Sequence, residues 1–572
     1  MLKLLPQVKK IEYLEDFLTV KAIAPFEGSV DYRLFNVIDK LPKDKKGAKL
    51  SILVKGESGE GYRLSVRQNA ITVEADSDAG AFYGLQTLRQ IFTSDKVPCV
   101  DIEDAPDFAY RGFYHDVTRG RVPTLQSLKD LIDQLAYYKY NTLQLYVEHA
   151  YPFKECEQVT NLLGGLTSDE IKELDDYCAD NFIRFTPSLS SFGHMFEILE
   201  QDKYKHLRVL KDFVAGDNFW DERMSHHTID PLNPESIELV KSLINQYSEN
   251  FTDEYFNICC DETFDLKNYQ FEGEKVEPSK LYVDFVNKII SHVKSIDKKV
   301  MMWADILLSH PETIDLLPKD TIFLNWDYRP QPEEENIIKF KELNRPQIVC
   351  PGTWSWNDLC ENVNYAESNI KLMAEYGFKH GAIGMLTTNW GDFGNPCSIE
   401  LASYGMALGG EKSWNANSPV DNEFYQRVNH IVYENENAME YLQILNQMQN
   451  GADYNWRSLV HSYVRHKKGE QVKETVKKEK LLSTQKTCQD LVERIQKDKW
   501  EKGEYKSQMI LAAKGICLLQ EYGFAMSGEK LNKIIDGKKW FDEYKEFWLS
   551  KNKPSELFRF EQIYNYLIEK FG

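Results

Sequence analysis

Residues 235–262 read ESIELVKSLINQYSENFTDEYFNICCDE, an amphipathic stretch followed by a short apolar run that ends in two acids. Apolar residues recur every three or four positions across Glu235–Asn250, which predicts a helix. The run Tyr255–Cys260 is short and mostly apolar, which predicts a buried strand. We interpret the segment as one helix–strand unit whose strand ends at Asp261 and Glu262.

The same unit repeats on both sides of this segment, from about Phe108 to Asn415. Eight strands that alternate with helices over roughly 300 residues predict a (β/α)8 barrel. An open doubly wound sheet is the alternative, but it would usually carry a glycine-rich phosphate turn after its first strand, and none is present. The predicted strands are Gly112–Asp116, Thr142–Glu148, Arg184–Ser188, Tyr255–Cys260, Lys299–Trp303, Ile322–Trp326, Ile348–Pro351 and Ala382–Thr388.

Two further regions flank the predicted barrel. In residues 1–106, alternating strand patterns such as Tyr62–Val66 precede a helix pattern at Asp78–Phe92, which predicts a small α+β domain. Residues 419–572 show helical periodicity, for example at Ala438–Met448, and predict an α-helical domain. We therefore predict an α/β protein with a TIM barrel at 107–418 between these two domains.

Charge and composition disfavour several classes of partner. The 572 residues include 69 Lys and Arg against 89 Asp and Glu, and the resulting net charge of −20 disfavours nucleic acid and anionic membrane surfaces. No apolar stretch approaches the ~18 residues that a membrane-spanning helix needs. We therefore expect neither a nucleic acid nor a membrane as a partner. A homodimer formed through the helical C-terminal region stays open.

The cysteines and the N-terminal segment bear on location. The ten cysteines include no C-x-x-C pair, and free thiols in a reducing cytosol are the simplest interpretation. Lysines and a proline interrupt the apolar residues of Met1–Tyr13, so this segment does not resemble a secretory signal. We therefore expect a cytoplasmic protein, with export after removal of a leader as the open alternative.

Acidic and aromatic residues follow most of the predicted barrel strands. Active sites of (β/α)8 barrels lie at the carboxyl ends of the strands, so these residues are the functional candidates. Carboxylates bond hydroxyl groups and flat aromatic rings pack on the C–H faces of a pyranose, so the combination predicts a sugar site. The candidates include Glu148, His149, His194, Asp261, Glu262, Trp303, Trp326, Tyr328, Trp354, Trp390 and Asp392.

Several blocks of sequence also occur in an order that is typical of one enzyme family. The block FNICCDETF at Phe256–Phe264 ends its strand in Asp-Glu, although Cys260 stands where the family usually has glycine. Other blocks are Ala81–Arg89, Tyr110–Arg119, Tyr140–Leu145, Gly193–His194, Asp230–Pro234, Met302–Asp305 and Trp390–Asp392. Together they resemble glycoside hydrolase family 20, the β-N-acetylhexosaminidases, over roughly residues 50 to 410.

The resemblance implies an exo-acting, retaining enzyme that releases terminal β-linked GlcNAc or GalNAc from a small oligosaccharide or glycoconjugate. The sugar's own acetamido oxygen would attack the anomeric carbon, while Glu262 would protonate the leaving oxygen and then activate water. Asp261 would hold the acetamido N–H and balance the charge of an oxazolinium-like intermediate. A buried neighbouring charge is expected to raise the pKa of Glu262. The resemblance implies no cofactor and no metal.

The resemblance also implies how the sugar is bound. Arg111 and Asp392 would bond its hydroxyl groups. The acetamido group and the pyranose ring would be enclosed by Trp303, Trp326 and Trp390.

The remaining candidates have supporting roles. Tyr328 is the candidate for the tyrosine that bonds the acetamido oxygen, and Trp354 would either wall a subsite or lie in the core. His194 would be the partner of Glu262, supported by Glu148 or His149.

Other functions are less consistent with these residues. A family 84-like O-GlcNAc hydrolase would carry Asp-Asp in place of Asp261-Glu262, and a non-catalytic carbohydrate-binding barrel needs no paired acids. His226 and His227 suggest a metal hydrolase, but no H-E-x-x-H motif is present. A serine hydrolase and a P-loop protein are disfavoured because G-x-S-x-G is absent and Gly409–Ser413 has the wrong spacing.

Overall fold

The structure is a computed structural model that describes residues 2–212, 220, 223, 227–268, 270–271, 274–275, 277–470, 476–526, 528, 530 and 532–571. His226, one of the two histidines considered as metal ligands, lies outside the described residues.

The N-terminal region forms a five-stranded sheet with the strand order β1-β5-β3-β4-β2. Its strands are β1 (Lys10–Phe17), β2 (Lys49–Val54), β3 (Tyr62–Arg67), β4 (Ala70–Ala75) and β5 (Pro98–Asp104). The short helix α1 (Phe35–Ile38) precedes β2, and α2 (Asp78–Ile91) packs its apolar face on β3 and β4. The Ser77 side chain caps α2 by accepting a hydrogen bond from the backbone of Gly80. This is the small α+β domain that the sequence predicts.

Eight parallel strands that follow the N-terminal region form the predicted barrel. Its parallel sheet has the order β8-β7-β6-β15-β14-β13-β12-β9, and a parallel bridge between Ser188 and Asn257 joins its two edges. A small hairpin, β10 and β11, follows β9 outside this sheet. The strands are β6 (Tyr110–Asp116), β7 (Thr142–Tyr146), β8 (Arg184–Thr186), β9 (Tyr255–Asn257), β10 (Gln270–Phe271), β11 (Glu274–Lys275), β12 (Lys299–Trp303), β13 (Ile322–Trp326), β14 (Gln347–Cys350) and β15 (Gly384–Asn389).

Helices surround the barrel, and the longer ones among them bury one apolar face. The fold therefore confirms the predicted TIM barrel, and β12 and β13 end where the sequence predicts. The helices are α3 (Leu125–Tyr137), α4 (Glu157–Leu163), α5 (Ser168–Asp180), α6 (Phe196–Leu199), α7 (Pro234–Ser248), α8 (Pro278–Ser295), α9 (Asp305–Ser309), α10 (Glu334–Glu342), α11 (Val363–Lys379) and α12 (Ser403–Trp414).

The C-terminal region is helical, as predicted, and it contacts loops at the carboxyl end of the barrel. Arg121, which follows β6, donates hydrogen bonds to the backbone oxygen of Asn395 (2.7 Å) and to the hydroxyl of Tyr544 (2.9 Å). No described helix combines the length and apolar character that crossing a membrane requires. The helices are α13 (Asn422–Val428), α14 (Ala438–Asn450), α15 (Trp456–Lys467), α16 (Lys478–Lys497), α17 (Gly503–Ala525), α18 (Gly537–Lys551) and α19 (Leu557–Phe571).

Candidate active site

Asp261 and Glu262 lie in a sharp turn that begins where β9 ends. Cys259, Cys260 and Glu262 have φ angles of 55°, 65° and 49°. Glycine adopts this left-handed conformation most readily, which explains why a glycine would suit the position of Cys260. The turn directs both acids to His194, whose Nε2 lies 3.4 Å from Oδ2 of Asp261 and 3.2 Å from Oε2 of Glu262. The structure therefore brings the two predicted catalytic acids into one site.

Two hydrogen bonds, one buried and one partly buried, hold this turn in place. The backbone N–H of Glu262 donates to Oδ2 of Asp305 (3.1 Å), and the hydroxyl of Tyr282 donates to the backbone oxygen of Cys260 (2.8 Å). Burial, together with the charge of Asp261, raises the pKa of Asp305 to about 7. Asp305 is the last residue of the block Met302–Asp305 that the sequence places at the end of a strand, but the sequence predicts no role for it.

His194 is held rigidly beside the two acids. Its φ angle is +55°, its backbone N–H donates to Nδ1 of His227 (2.9 Å), and the two imidazole rings stack with centroids 4.7 Å apart. Burial disfavours its charged form, but the carboxylates of Asp261 and Glu262 outweigh this and raise the pKa of His194 to about 10. His194 is therefore positively charged at neutral pH.

The pKa of Glu262 is lowered, which is opposite to the prediction from the sequence. Burial raises the pKa of this carboxyl. The hydrogen bond and charge of His194, together with the charge of Arg119, lower it by more, so the net shift is downward. The sequence pattern pairs His194 with Glu262 but does not show that this histidine is charged, so the expectation rests on the neighbouring carboxylate alone. Donor atoms of His194, Asp261 and Glu262 lie within 4.8 Å of one another.

Arg119 is the arginine that reaches this site. It is buried, and its Nη1 donates to Oδ1 of Asp392 (2.5 Å) while its Nη2 donates to the hydroxyl of Tyr146 (3.2 Å). The same Nη2 lies 3.4 Å from Nδ1 of His194. The guanidinium also packs over the rings of Tyr146 and Trp390, at 4.9 Å and 5.2 Å from their centroids. Arg119 thus joins the predicted residues Asp392, Trp390 and His194.

Arg111 lies at the opposite end of the barrel, so the prediction that it binds the sugar is wrong. It is the second residue of β6 and is fully buried. Its Nη1 and Nη2 donate to the two carboxylate oxygens of Glu60 (2.6 Å and 3.0 Å), and its Nε donates to the backbone oxygen of Lys139 (2.9 Å). Arg111 therefore joins the N-terminal domain to the amino end of the barrel. Both arginines occur in the block Tyr110–Arg119, and only the strand direction distinguishes them.

Four aromatic rings form the floor of the site. Trp303 is completely buried and Trp390 is 8% exposed. The ring of Tyr114 lies 5.2 Å from Trp303 and 5.1 Å from Trp390, while Tyr146 also lies 5.1 Å from Trp390. The Nε1–H of Trp390 donates to the hydroxyl of Tyr328 (2.8 Å). The structure therefore places Trp303, Trp390 and Tyr328 side by side. It adds Tyr114 of β6 and Tyr146 of β7 to this group.

The other predicted tryptophans extend this aromatic surface outward. Trp326 stacks on Tyr328 with ring centroids 5.0 Å apart, and Tyr328 contacts Trp356 at 5.3 Å. Trp354 stacks on Trp356 at 5.0 Å and is half-buried. Trp326 therefore adjoins the four-ring floor through Tyr328, and Trp354 lies one ring further out.

Glu148 and His149 support the site indirectly. Glu148 accepts a hydrogen bond from the hydroxyl of Tyr146 (2.8 Å) and lies 3.5 Å from Nε of Arg119. Burial and neighbouring arginines keep the pKa of His149 well below its usual value, so this histidine is neutral. Within the described residues, neither Glu148 nor His149 forms a hydrogen bond or ion pair with His194. Glu148 contacts Tyr146 and Arg119, and both of these lie beside His194.

Comparison with known families identifies the chain. The model "Glycosyl hydrolase family 20, catalytic domain" matches residues 108–381, and "Glycosyl hydrolase family 20, domain 2" matches residues 3–105. A barrel with acids and aromatic rings at its carboxyl end is thus assigned to the glycoside hydrolases. Within that class, the chain belongs to glycoside hydrolase family 20.

Individual relatives are distant. A β-hexosaminidase of Emericella nidulans is 25% identical over 370 residues, which cover 57% of this chain and 59% of that protein. A β-hexosaminidase of Vibrio furnissii is 23% identical over 357 residues, which cover 54% of each protein. The chain therefore matches less than two thirds of the length of either curated relative.

Solved structures support the whole fold. The chitobiase of Flavobacterium johnsoniae covers 99% of this chain and is itself 99% covered, with a TM-score of 0.63 and 18% identity. A family 20 exo-β-N-acetylglucosaminidase of Vibrio harveyi, solved with N-acetylglucosamine, covers 78% of each chain, with a TM-score of 0.60 and 18% identity. The similarity thus extends across the barrel and its flanking regions.

Proposed function

We propose that the chain is an exo-acting, retaining β-N-acetylhexosaminidase that releases terminal β-linked GlcNAc or GalNAc by substrate-assisted catalysis. The observation that carries this proposal is the placement of Asp261 and Glu262 against one histidine at the carboxyl end of the barrel. Donor atoms of the three residues lie within 4.8 Å of one another. The names of the relatives support the substrate class.

The proposed sugar pocket uses the residues that surround Asp261. Oδ1 of Asp261 is buried and has no hydrogen-bond partner among the described residues, so it can accept the acetamido N–H. The hydroxyl of Tyr328 accepts from Trp390 and keeps its own hydrogen to donate to the acetamido oxygen. The Asp392 side chain is 25% exposed and Arg119 only 7%, so Asp392 would bond the sugar hydroxyls while Arg119 orients it.

The proposed proton path runs through Glu262 and His194. The acetamido oxygen attacks the anomeric carbon as the bond to the leaving oxygen breaks, and that oxygen takes a proton from Glu262. The lowered pKa of Glu262 leaves it ionised at neutral pH, so the charged His194, 3.2 Å away, supplies the proton that Glu262 passes on, and Glu262 is ionised again afterwards. Glu262 then removes a proton from water, which attacks the anomeric carbon and opens the oxazoline ring. The two inversions leave the product in the β configuration.

The test measures nitrophenol release from β-N-acetylglucosaminide and β-N-acetylgalactosaminide substrates, with a GlcNAc-thiazoline as the inhibitor. We expect Glu262→Gln to lower kcat by about 10²-fold or more, as removal of a general acid does. The exposed-surface control Glu235→Gln should behave as wild type. Thiazoline should bind wild type and block turnover. A folded wild type that cleaves neither substrate and does not bind thiazoline would contradict the proposal.

A further inference from the structure

Residues 391–396 follow β15 and carry Asp392, and helices of the C-terminal region contact this segment, here called the Asp392 loop. We propose that these helices hold the Asp392 loop in the conformation that binds the sugar, and that Trp456 and Tyr544 are positioning residues for Asp392. This role rests on the proposed function, in which Asp392 bonds the sugar hydroxyls. It assigns the C-terminal region a part in substrate binding.

The Asp392 loop has an unfavourable backbone conformation. Phe393, Gly394 and Asn395 are three successive residues with left-handed φ angles of 56°, 86° and 55°. Glycine adopts such angles readily and asparagine does so at modest cost, but a bulky residue such as phenylalanine seldom does. A backbone of this kind persists only where the surrounding structure holds it. The contacts that hold Phe393 therefore also fix the position of Asp392, the residue before it.

Backbone oxygens of the loop accept hydrogen bonds from the C-terminal region. The Nε1–H of Trp456, the first residue of α15, donates to the backbone oxygen of Phe393 (2.9 Å). The hydroxyl of Tyr544 in α18 donates to the backbone oxygen of Pro396 (3.0 Å). Nη2 of Arg121 donates both to this hydroxyl (2.9 Å) and to the same oxygen of Pro396 (3.1 Å). Two C-terminal helices therefore bond the loop at two points that are three residues apart.

Aromatic rings pack against the middle of the loop. A Cβ atom on Gly394 would lie 2.5 Å from the ring of Trp220 and 2.9 Å from that of Phe560 in α19, so only glycine leaves room for this packing. Phe560 stacks on Trp456 with ring centroids 4.7 Å apart, and Tyr544 lies 5.8 Å from Phe560. The helices α15, α18 and α19 thus contribute one aromatic cluster that packs on the loop.

The C-terminal helices complete what the barrel begins. The backbone N–H of Gly391 donates to Oδ2 of Asp116 at the end of β6 (3.0 Å), which fixes the start of the loop to the barrel. Oδ1 of Asp392 accepts from Nη1 of Arg119 (2.5 Å), and the Asp392 side chain remains 25% exposed. A hydrogen bond to a charged group depends on distance and angle, so a shift of the loop would weaken the bond between Asp392 and a sugar hydroxyl.

The test combines a loop contact and Asp392 in a double-mutant cycle. Trp456→Phe keeps an aromatic ring beside Phe560 but removes the N–H that bonds the loop. We expect it to lower kcat/KM for nitrophenyl β-N-acetylglucosaminide about three- to tenfold, and to raise the inhibition constant of GlcNAc-thiazoline by a similar factor, because both carry the same hydroxyl groups. In the Asp392→Ala background, Trp456→Phe should change kcat/KM by less than about twofold, because the residue that it positions is absent.

Two further variants separate positioning from general stability. Tyr544→Phe keeps its ring and removes the hydroxyl that bonds Pro396, so it should lower kcat/KM as Trp456→Phe does. Trp500→Phe is the matched control, because the Nε1–H of Trp500 also donates to a backbone oxygen of the C-terminal region, that of Ile495 in α16 (3.1 Å). It should lower Tm about as much as Trp456→Phe does, while kcat/KM stays at the wild-type value.

Three results would overturn this role while leaving the proposed function intact. A folded Trp456→Phe or Tyr544→Phe with unchanged kcat/KM would show that the contact it removes does not position Asp392. Equal losses from Trp456→Phe with and without Asp392 would show that the contact does not act through this residue. An equal loss of kcat/KM in Trp500→Phe would assign the effect to stability alone. A wild type that cleaves neither sugar and binds no thiazoline would instead refute the proposed function and this role together.

Discussion

Arg111 and Arg119 lie at the two ends of β6, and both are buried in a chain of 572 residues. The three nitrogens of the Arg111 guanidinium group each donate to an oxygen of Glu60, Lys139 or Phe108. Arg119 instead packs between aromatic rings and acids, and its Nε has no hydrogen-bond partner among the described residues. All three guanidinium nitrogens of Arg111 are therefore bonded within the protein, whereas the Nε–H of Arg119 can still donate a hydrogen bond.

The comparison extends to the surroundings of the two arginines. Buried polar atoms without a partner cost free energy, so a fold retains them mainly where a ligand uses them. Several gather around Arg119 and the catalytic turn, in the part of the chain that the structure describes. These atoms are Oε2 of Glu148, Oδ1 of Asp261, Nε1 of Trp303 and Oδ1 of Asp305. The amino end of the barrel is built for stability, and the carboxyl end is built for binding.

The largest expected effect is on stability, at the amino end. Arg111→Met leaves Glu60 without its partner and should lower the free energy of unfolding by about 3–5 kcal/mol, as breaking a buried ion pair does. Urea unfolding measures this. The kcat/KM of the folded variant should stay close to the wild-type value. Arg63→Met is the matched control, because Arg63 pairs with Glu103 on the surface, and should cost about 0–1 kcal/mol.

A substitution at the carboxyl end should have the opposite signature. Arg119→Lys keeps the charge but loses the planar fork that joins Asp392 and Tyr146. We expect kcat/KM to fall about 10²-fold, the cost of a small misplacement in an active site, with little change in urea unfolding. If Arg119→Lys unfolds early while Arg111→Met loses activity, the roles assigned to the two arginines are reversed.

The smallest expected effect concerns pH and Asp305. Its pKa is raised from 3.8 to about 7 in the folded protein, so its ionisation costs stability as pH rises from about 4 to about 7, with no further cost above. Asn can still accept from the backbone of Glu262 without this cost. The Tm of Asp305→Asn minus that of wild type should therefore grow by about 2 °C or more between pH 4 and pH 7, measured by calorimetry. A difference that is constant with pH would contradict this account.

Most of the fold follows from the sequence because its pattern is local. Short apolar runs mark β12 and β13, which are almost completely buried, and helical periodicity marks α3, which buries one apolar face. The strand predicted at Tyr255–Cys260 ends earlier, at Asn257, because Cys259 and Cys260 adopt positive φ angles. Their apolar character predicts that Cys259 and Cys260 belong to the strand, whereas in the folded protein they form part of the catalytic turn.

The sequence predicts a site residue where its type and position in the chain are enough to identify it. It predicts less well the properties that depend on residues brought close by folding. Asp261 and Glu262 stand out because an acid pair ends an apolar run. The lowered pKa of Glu262 depends on His194, which lies far away in sequence, so the sequence alone gave the wrong direction. The choice between Arg111 and Arg119 required the strand direction and the exact ends of β6. Asp305 required knowledge of its contact with the backbone of Glu262.

A crystal structure of the chain with GlcNAc-thiazoline tests the central claim most directly, namely that the carboxyl end of the barrel binds an acetamido sugar. The account predicts the thiazoline nitrogen within hydrogen-bond distance of Asp261, the ring over Trp303 and Trp390, and the hydroxyl groups bonded to Asp392. Arg111 should remain paired with Glu60. A ligand bound elsewhere, or one whose nitrogen contacts neither Asp261 nor Glu262, would contradict the claim.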